Sequence, residues 1–193
     1  MKNDLQEYRS ELRVLMKLIP SVWETARLTI QDLSENEIHI VQKLYEQGRY
    51  IHQWDGGSLD YEYAYRCFTD GDLPPNGTKD KFKIQVIRVK ETDTIVGILT
   101  TYQGYPKNET YYINYLYIDK EYHKQGLGKE VISELLSFLR EYKFGEVRAS
   151  VAIKNWPAIR FWTGLGLDTI NGFYGDNEYR ADHYADIELI KKF

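Results

Sequence analysis

Cysteine is nearly absent. Cys67 is the only one in 193 residues, which excludes an internal disulfide and a cysteine-anchored zinc cluster, fits a reducing compartment and reads as a core position. No metal site is expected. Positive charge is not in excess either, since 25 Lys and Arg stand against 29 Asp and Glu for a net charge of −4. That balance excludes the broad positive field of a nucleic-acid binder and suits a cationic small molecule better. No apolar run approaches 18 residues, so no membrane span and no membrane partner are expected. The opening MKNDLQEYRSELRVLMKLIP mixes charges of both signs and lacks the apolar segment and cleavage site of a secretory signal, so the expected location is the cytoplasm. Repeats, low-complexity tracts and long linkers are also lacking. What is plentiful is aromatic surface: 17 Tyr and 4 Trp can pack a core or line a pocket for an extended ligand.

Leu5, Tyr8, Leu12, Leu15, Met16 and Ile19 recur at helical spacing, which predicts an amphipathic helix over 3–19 ended by Pro20. Its stripe suits packing on the chain's own core or a homodimer. The division expected is a helical extension over 1–22 and a catalytic-size domain over 23–193. A strand is expected at 26–30 and a helix at 35–47, opened by a Ser34 and Glu37 capping box and stopped by Gly48. Residues 50–80 read as an aromatic, turn-rich connection with a short helix near 60–69. Strands at 82–89, 95–103 and 110–118 form an antiparallel meander. A helix at 126–142, a strand at 146–153, a helix at 156–164 and strands near 167–174 and 185–192 follow. The class is α/β or α+β with a mixed sheet.

The most informative segment is LYIDKEYHKQGLGK, Leu116 to Lys129, where a strand ends and two glycines open a helix. A helix N-terminus carries unpaired amides and the positive end of the dipole, so it can hold a pyrophosphate. Gly126 and Gly128 let those amides approach phosphate oxygens, and Lys124 and Lys129 add positive charge. The three-glycine dinucleotide fingerprint and the Walker loop are both missing.

His123-Lys-Gln-Gly126-Leu-Gly128 resembles the Gln/Arg-x-x-Gly-x-Gly/Ala loop of the GCN5-related N-acetyltransferases. Asn155-Trp-Pro-Ala158-Ile-Arg-Phe161-Trp162, with Gly164-Leu-Gly166 after it, resembles the family's Asn-x-x-Ala-x-x-Phe-Tyr helix and closing glycine. The resemblance implies acetyl-CoA as cofactor and a mixed, mostly antiparallel sheet whose strands 110–118 and 146–153 splay apart around the pantetheine. It implies that Leu116 and Ile118 bond the pantetheine through their backbone, that His123, Lys124, Gln125, Gly126, Leu127, Gly128 and Lys129 surround the pyrophosphate, and that Asn155, Phe161 and Trp162 complete the cofactor site. His123 departs from the family's Gln or Arg. Trp162 departs from its Tyr, and an indole N–H can donate a hydrogen bond but not a proton.

Under the same resemblance the Leu116 amide polarises the thioester carbonyl, and Tyr115, Tyr117 and Tyr174 are the alternative acids to Trp162. No carboxylate lies in 111–118, so a base is expected to act through water or to come from elsewhere, with Glu24, Asp55 and Glu178 as candidates. Acceptor contacts are expected from Trp54, Asp55, Tyr112, Asn114, Tyr174 and Glu178, whose aromatic and acidic groups suit an ammonium. The expected reaction is direct acetyl transfer to a primary amine of a small cationic metabolite or aminoglycoside-like compound. The alternatives are a protein or peptide acceptor and a non-catalytic acyl-CoA-binding module.

Overall fold

The structure is a computed structural model that describes residues 19–193. The helix expected at 3–19 lies outside the described residues except for its last position, Ile19, which is buried. Among the described residues the strands are β1 Val22–Glu24, β2 Leu28–Asp32, β3 Phe82–Val89, β4 Thr94–Gln103, β5 Thr110–Ile118, β6 Glu146–Ala152, β7 Thr169–Gly175 and β8 Ala185–Lys192. The α-helices are α1 Ile38–Gln47, α2 His52–Asp55, α3 Tyr63–Thr69, α4 Leu127–Glu141 and α5 Trp156–Thr163. No described helix is long and apolar enough to cross a membrane.

One mixed sheet runs in the order β1-β2-β3-β4-β5-β6-β8-β7, antiparallel at every junction except the parallel pair β5 and β6. The meander from 82 to 118 forms as expected because alternating apolar residues and polar turns separate its strands. The strand expected at 26–30 lies two residues later. β1, not anticipated at three residues, pairs with it through Val22 to Gln31 and Glu24 to Thr29.

Central β4 is buried along nearly its whole length, because helices cover both faces of the sheet. On one face α4 supplies Val131, Ile132, Leu135, Leu136 and Leu139 at helical spacing, packed on Leu99, Ile113 and Val147. On the other face Val41 and Leu44 of α1 and Tyr63, Ala64 and Cys67 of α3 pack on Ile84, Val86 and Ile98. Burial pushes the Cys67 thiol up to about 11, as an inert core cysteine requires.

β5 carries a bulge. Thr100 pairs with Tyr115 and Thr101 with Ile113, so Asn114 has no partner on β4. The extra residue reverses the alternation: Tyr111 and Ile113 face the α4 side before it, Leu116 and Ile118 after it, while Tyr112, Tyr115 and Tyr117 face the α1 side.

The sheet also buries a charge network. Arg148 of β6 donates to Glu188 Oε1 at 2.8 Å and, through Nε, to Glu146 Oε1 at 2.8 Å, and Tyr112 and Asn171 donate to the same Glu188 carboxylate. Burial opposes ionisation of Glu146, yet the bonds from Thr110 and Arg148 prevail and hold its carboxyl below the usual range. Removing the cation would strand two carboxylates. Arg148→Met should therefore cost about 3–5 kcal/mol at pH 7 in urea unfolding. The Glu146 share of the wild-type stability is present above the ordinary glutamate value, about 4.3, and is lost as pH falls through the depressed folded value. The gap between variant and wild type should accordingly narrow in acid.

Candidate active site

β5 and β6 pair only from Thr110 with Glu146 to Ile113 with Ala149. Beyond that point β5 continues to Ile118 with no ladder partner on its β6 side, and α5 enters the space with Asn155 and Trp162. The side chain of Asn155 accepts from the Ala158 amide at 3.2 Å, and Pro157 occupies the first turn, so the residue caps α5 as it faces the gap.

A cavity of about 550 Å³ opens along this gap. It brings together Leu116 and Ile118 of β5, His123, Lys124, Gly126, Leu127, Gly128 and Lys129 of the following turn, and Asn155, Phe161 and Trp162. Of the cofactor residues expected from the sequence, only Gln125 does not line it. The Gln125 carbonyl instead accepts from Arg27 Nη2 at 3.1 Å.

The turn before α4 is built for close approach. Gly126 adopts a left-handed φ of +79°, and a Cβ there would meet only Arg27 Nη2 at 3.8 Å. A Cβ at Gly128 would touch Phe161 and Ile118 at 3.5–3.6 Å, ordinary contact, and would project into the cavity. The first-turn amides of α4 have no intrahelical partners, and Lys124 and Lys129 stand at their mouth. The donors, charge and open volume therefore fit a pyrophosphate followed by a slender chain in the strand gap.

His123 is exposed, with its Nε2 at 2.6 Å from the Ile118 carbonyl, so that oxygen is already engaged. Sequence reasoning missed the brace behind the turn. Glu130 of α4 accepts from Thr25 Oγ1, the Arg27 amide and Arg27 Nε, tying the β1–β2 turn to the helix start. Burial of Glu130 works against these bonds, which nevertheless hold its carboxyl below the usual range.

A second cavity, about 290 Å³, continues the gap toward β8 and shares Ile51, Leu116, Asn155, Ala158 and Trp162 with the first. It adds Asn114, Tyr115, Asp55 and Asp186. Trp162 borders both, and its indole N–H makes no hydrogen bond among the described residues. Tyr115 is packed against Tyr45, Tyr63 and Tyr117, and burial drives its phenol strongly upward, followed by the charges of Tyr45 and Tyr117. Tyr117 borders the first cavity with a buried hydroxyl that has no hydrogen-bond partner among the described residues, and burial raises it to about 12.

The expected acceptor residues do not form one cluster. Trp54 lines the first cavity and Asp55 the second. Tyr112, Asn114 and Tyr174 line a third, about 380 Å³, with Asp72, Tyr105, Arg148 and Glu188. Asn114 joins the second and third: its Nδ2 donates to the Asp72 carbonyl at 3.1 Å, and its buried Oδ1 has no partner. Glu178 lies in none of the three and forms an exposed ion pair with Arg180 at 2.8 Å. Glu24 is likewise on the surface, paired with Lys90 at 2.6 Å. Asp186, Arg148 and Glu188 were not anticipated, although charged residues within the apolar strands VRASVA and DIELI are a readable signal.

The model of the acetyltransferase (GNAT) family matches residues 38–167. Among curated proteins, the L-2,4-diaminobutyric acid acetyltransferase of Virgibacillus pantothenticus is 25% identical over 146 residues, 73% of this chain and 86% of that protein. Among solved structures, an acetyltransferase from Thermus thermophilus superposes with a TM-score of 0.63 at 16% identity, covering 89% of this chain and 100% of the other. A GNAT-family acetyltransferase from Bacillus anthracis gives 0.67 at 14% identity, covering 89% and 98%. With two thirds of its length matched by the family model, and a sheet that parts where the glycine turn meets it, this chain belongs to the GNAT family and is an N-acetyltransferase.

Proposed function

We propose that the protein transfers an acetyl group from acetyl-CoA to a primary amine of a small cationic molecule. The observation that carries this reading is the continuous gap running from the α4 N-terminus, between β5 and β6, to an acidic chamber. Acetyl-CoA supplies the acyl group already activated as a thioester. Amides from Gly126 to Lys129 would hold its pyrophosphate, with Lys124 and Lys129 beside them. The parted edge of β5 from Leu116 to Ile118 and the side-chain amide of Asn155 would hold the pantetheine.

In this reading the Leu116 amide stabilises negative charge on the acyl oxygen. Trp162 closes the junction of the two cavities and offers an N–H to the sulfur side. A thiol near 8.5 leaves tolerably as its anion, so an indole donor there suffices. Tyr115 is poorly suited to supply a proton because burial weakens it as an acid. The acceptor enters from the side of α2 and β8, where Asp55 and Asp186 line the cavity. That acidic surface, together with the similarity to a diaminobutyric acid acetyltransferase, favours a small amine over a peptide.

Gly128→Asp tests the cradle. The new Cβ meets only ordinary contacts, and a carboxylate in the first turn of α4 is favoured by the helix dipole, so the melting temperature should hold. Displacing charged hydrogen bonds worth roughly 1.5–3 kcal/mol should weaken acetyl-CoA binding about 10- to 100-fold by calorimetry. Unchanged affinity would remove the cradle from the reading. For the acceptor, free-thiol release from acetyl-CoA should be seen with diamines, polyamines or diamino acids and should be at least tenfold slower with peptide N-termini. Faster turnover of peptides would reverse the assignment.

A further inference from the structure

Two acids project from the same face of β8, two residues apart, and the fold treats them oppositely. Glu188 is fully partnered by Arg148, Tyr112 and Asn171. Asp186 is half-buried and has neither a hydrogen bond nor an ion pair among the described residues. The charge that acts on it is Asp55, of like sign. An unpaired, partly buried carboxylate facing a second carboxylate is costly unless something else supplies the opposite charge.

Asp55 is deliberately held there. Its Oδ1 is occupied by His52 Nδ1 at 3.2 Å and by the Gly57 amide at 2.8 Å. The next residue, Gly56, ends α2 at a φ of +71°, and a Cβ on it would clash with the ring of Tyr184. Glycine thus lets α2 seat directly on Tyr184, two residues before Asp186 in the chain. Tyr115 of β5 borders the same chamber, Tyr174 of β7 is the register partner of Asp186 and Ala152 its partner on β6. None of these is a cation. Lys154, which reaches the Tyr184 ring at 4.6 Å, spends its ammonium on the carbonyls of Arg180 and Ala181. Asn114 borders the chamber as well, and its Oδ1 is buried with no partner among the described residues. The charged side chains among the described residues that line the chamber are the two carboxylates, beside the neutral donors of Ser150, Tyr115 and Trp162, so the ligand charge they match is positive.

Resting on the function proposed above, we propose that Asp186 is the general base of the reaction and receives the acceptor as an alkylammonium, with the charge of Asp55 adding to the field that draws the cation in. Asp186 takes one proton from the ammonium, which leaves a lone pair on nitrogen. As the carbon–nitrogen bond forms and the carbon–sulfur bond breaks, a second nitrogen proton ends on the departing sulfur. The proton on Asp186 then passes to water, so each turnover releases one proton. Asp55 does not touch the reacting atoms in this scheme. It is a positioning residue that makes Asp186 more basic. Burial, and after it the Asp55 charge, raises the Asp186 carboxyl above its ordinary value, the direction a base needs.

The pair has a stability signature with a definite sign. A carboxyl whose folded value is raised binds more protons in the native state, so stability falls as pH rises from the ordinary aspartate value through the raised one. At pH 7 the charge is a net burden. Asp186→Asn should consequently raise the melting temperature at pH 7, leave the acetyl-CoA thermal shift unchanged, and lower kcat with the best amine of the thiol-release panel by roughly 10²- to 10⁴-fold. Asp55→Asn should move the acid limb of kcat/KM to lower pH. It should do the same to the Asp186 carboxyl titration, followed by ¹³C NMR in the free full-length protein. Overturning results are a kcat for Asp186→Asn within threefold of wild type, a fall in its melting temperature, or an Asp186 titration indifferent to Asp55→Asn. If wild type binds no acetyl-CoA, the proposed function fails on its own, and the NMR titration still decides whether the two carboxylates are coupled.

Discussion

The site depends on a parallel strand pair that stops pairing after four residues. β5 and β6 share a ladder only to Ile113 and Ala149, and from there the backbone of β5 is left with an unfilled side in the middle of the sheet. Unpaired backbone is tolerated in a protein interior only where water or a ligand completes it. Two features keep the strands apart. The bulge at Asn114 bends β5 and turns Leu116 and Ile118 toward α4, and α5 inserts Asn155 and Trp162 into the opening. The glycine turn at the far end of β5 then places the α4 N-terminus at the mouth of the same gap, so donors for an anion and a slot for an extended chain are aligned by one strand.

The opposite half of the site is governed by charge. Along one face of β8 the fold buries Glu188 with a complete set of partners and leaves Asp186 with none among the described residues. The first arrangement is structural, since an arginine between two carboxylates locks β6, β8 and the start of β5. The second contributes nothing to folding and is retained against an electrostatic cost. A local cost of this kind, offset by the well-packed clusters on both sides of the sheet, marks Asp186 as a candidate functional position.

The sequence was informative wherever the signal is local. Strands 82–89, 110–118 and 185–192 coincide with the structure because alternation and turn residues specify them without reference to the rest of the chain. The Gly126-Leu-Gly128 turn and the Asn155 cap are equally local, and both lie on the large cavity. The missing parts are long-range or short. β1 and α2 hold three and four residues, too few for any period to show. The Asn114 bulge follows from how β5 pairs with β4 and leaves no mark in composition. The acidic chamber draws on segments near 55, 114, 150 and 186, which no spacing rule connects. Glu178 was a reasonable candidate on composition, and it is on the surface because the loop from 176 to 184 folds over Lys154 rather than toward the gap.

The short helix α2 links the two halves. Successive helical residues point about 100° apart, so a single turn presents Trp54 to the large cavity and Asp55 to the acidic chamber. Its position is set by Gly56 against Tyr184 on one side and by the Tyr50 and Trp54 rings, 5.9 Å apart and edge to face, on the other. One turn therefore borders both chambers, and the Asp55 charge that acts on Asp186 is placed by the same four residues that place Trp54. The two chambers share this wall while remaining chemically distinct, one lined by lysines and the start of α4 and the other by carboxylates.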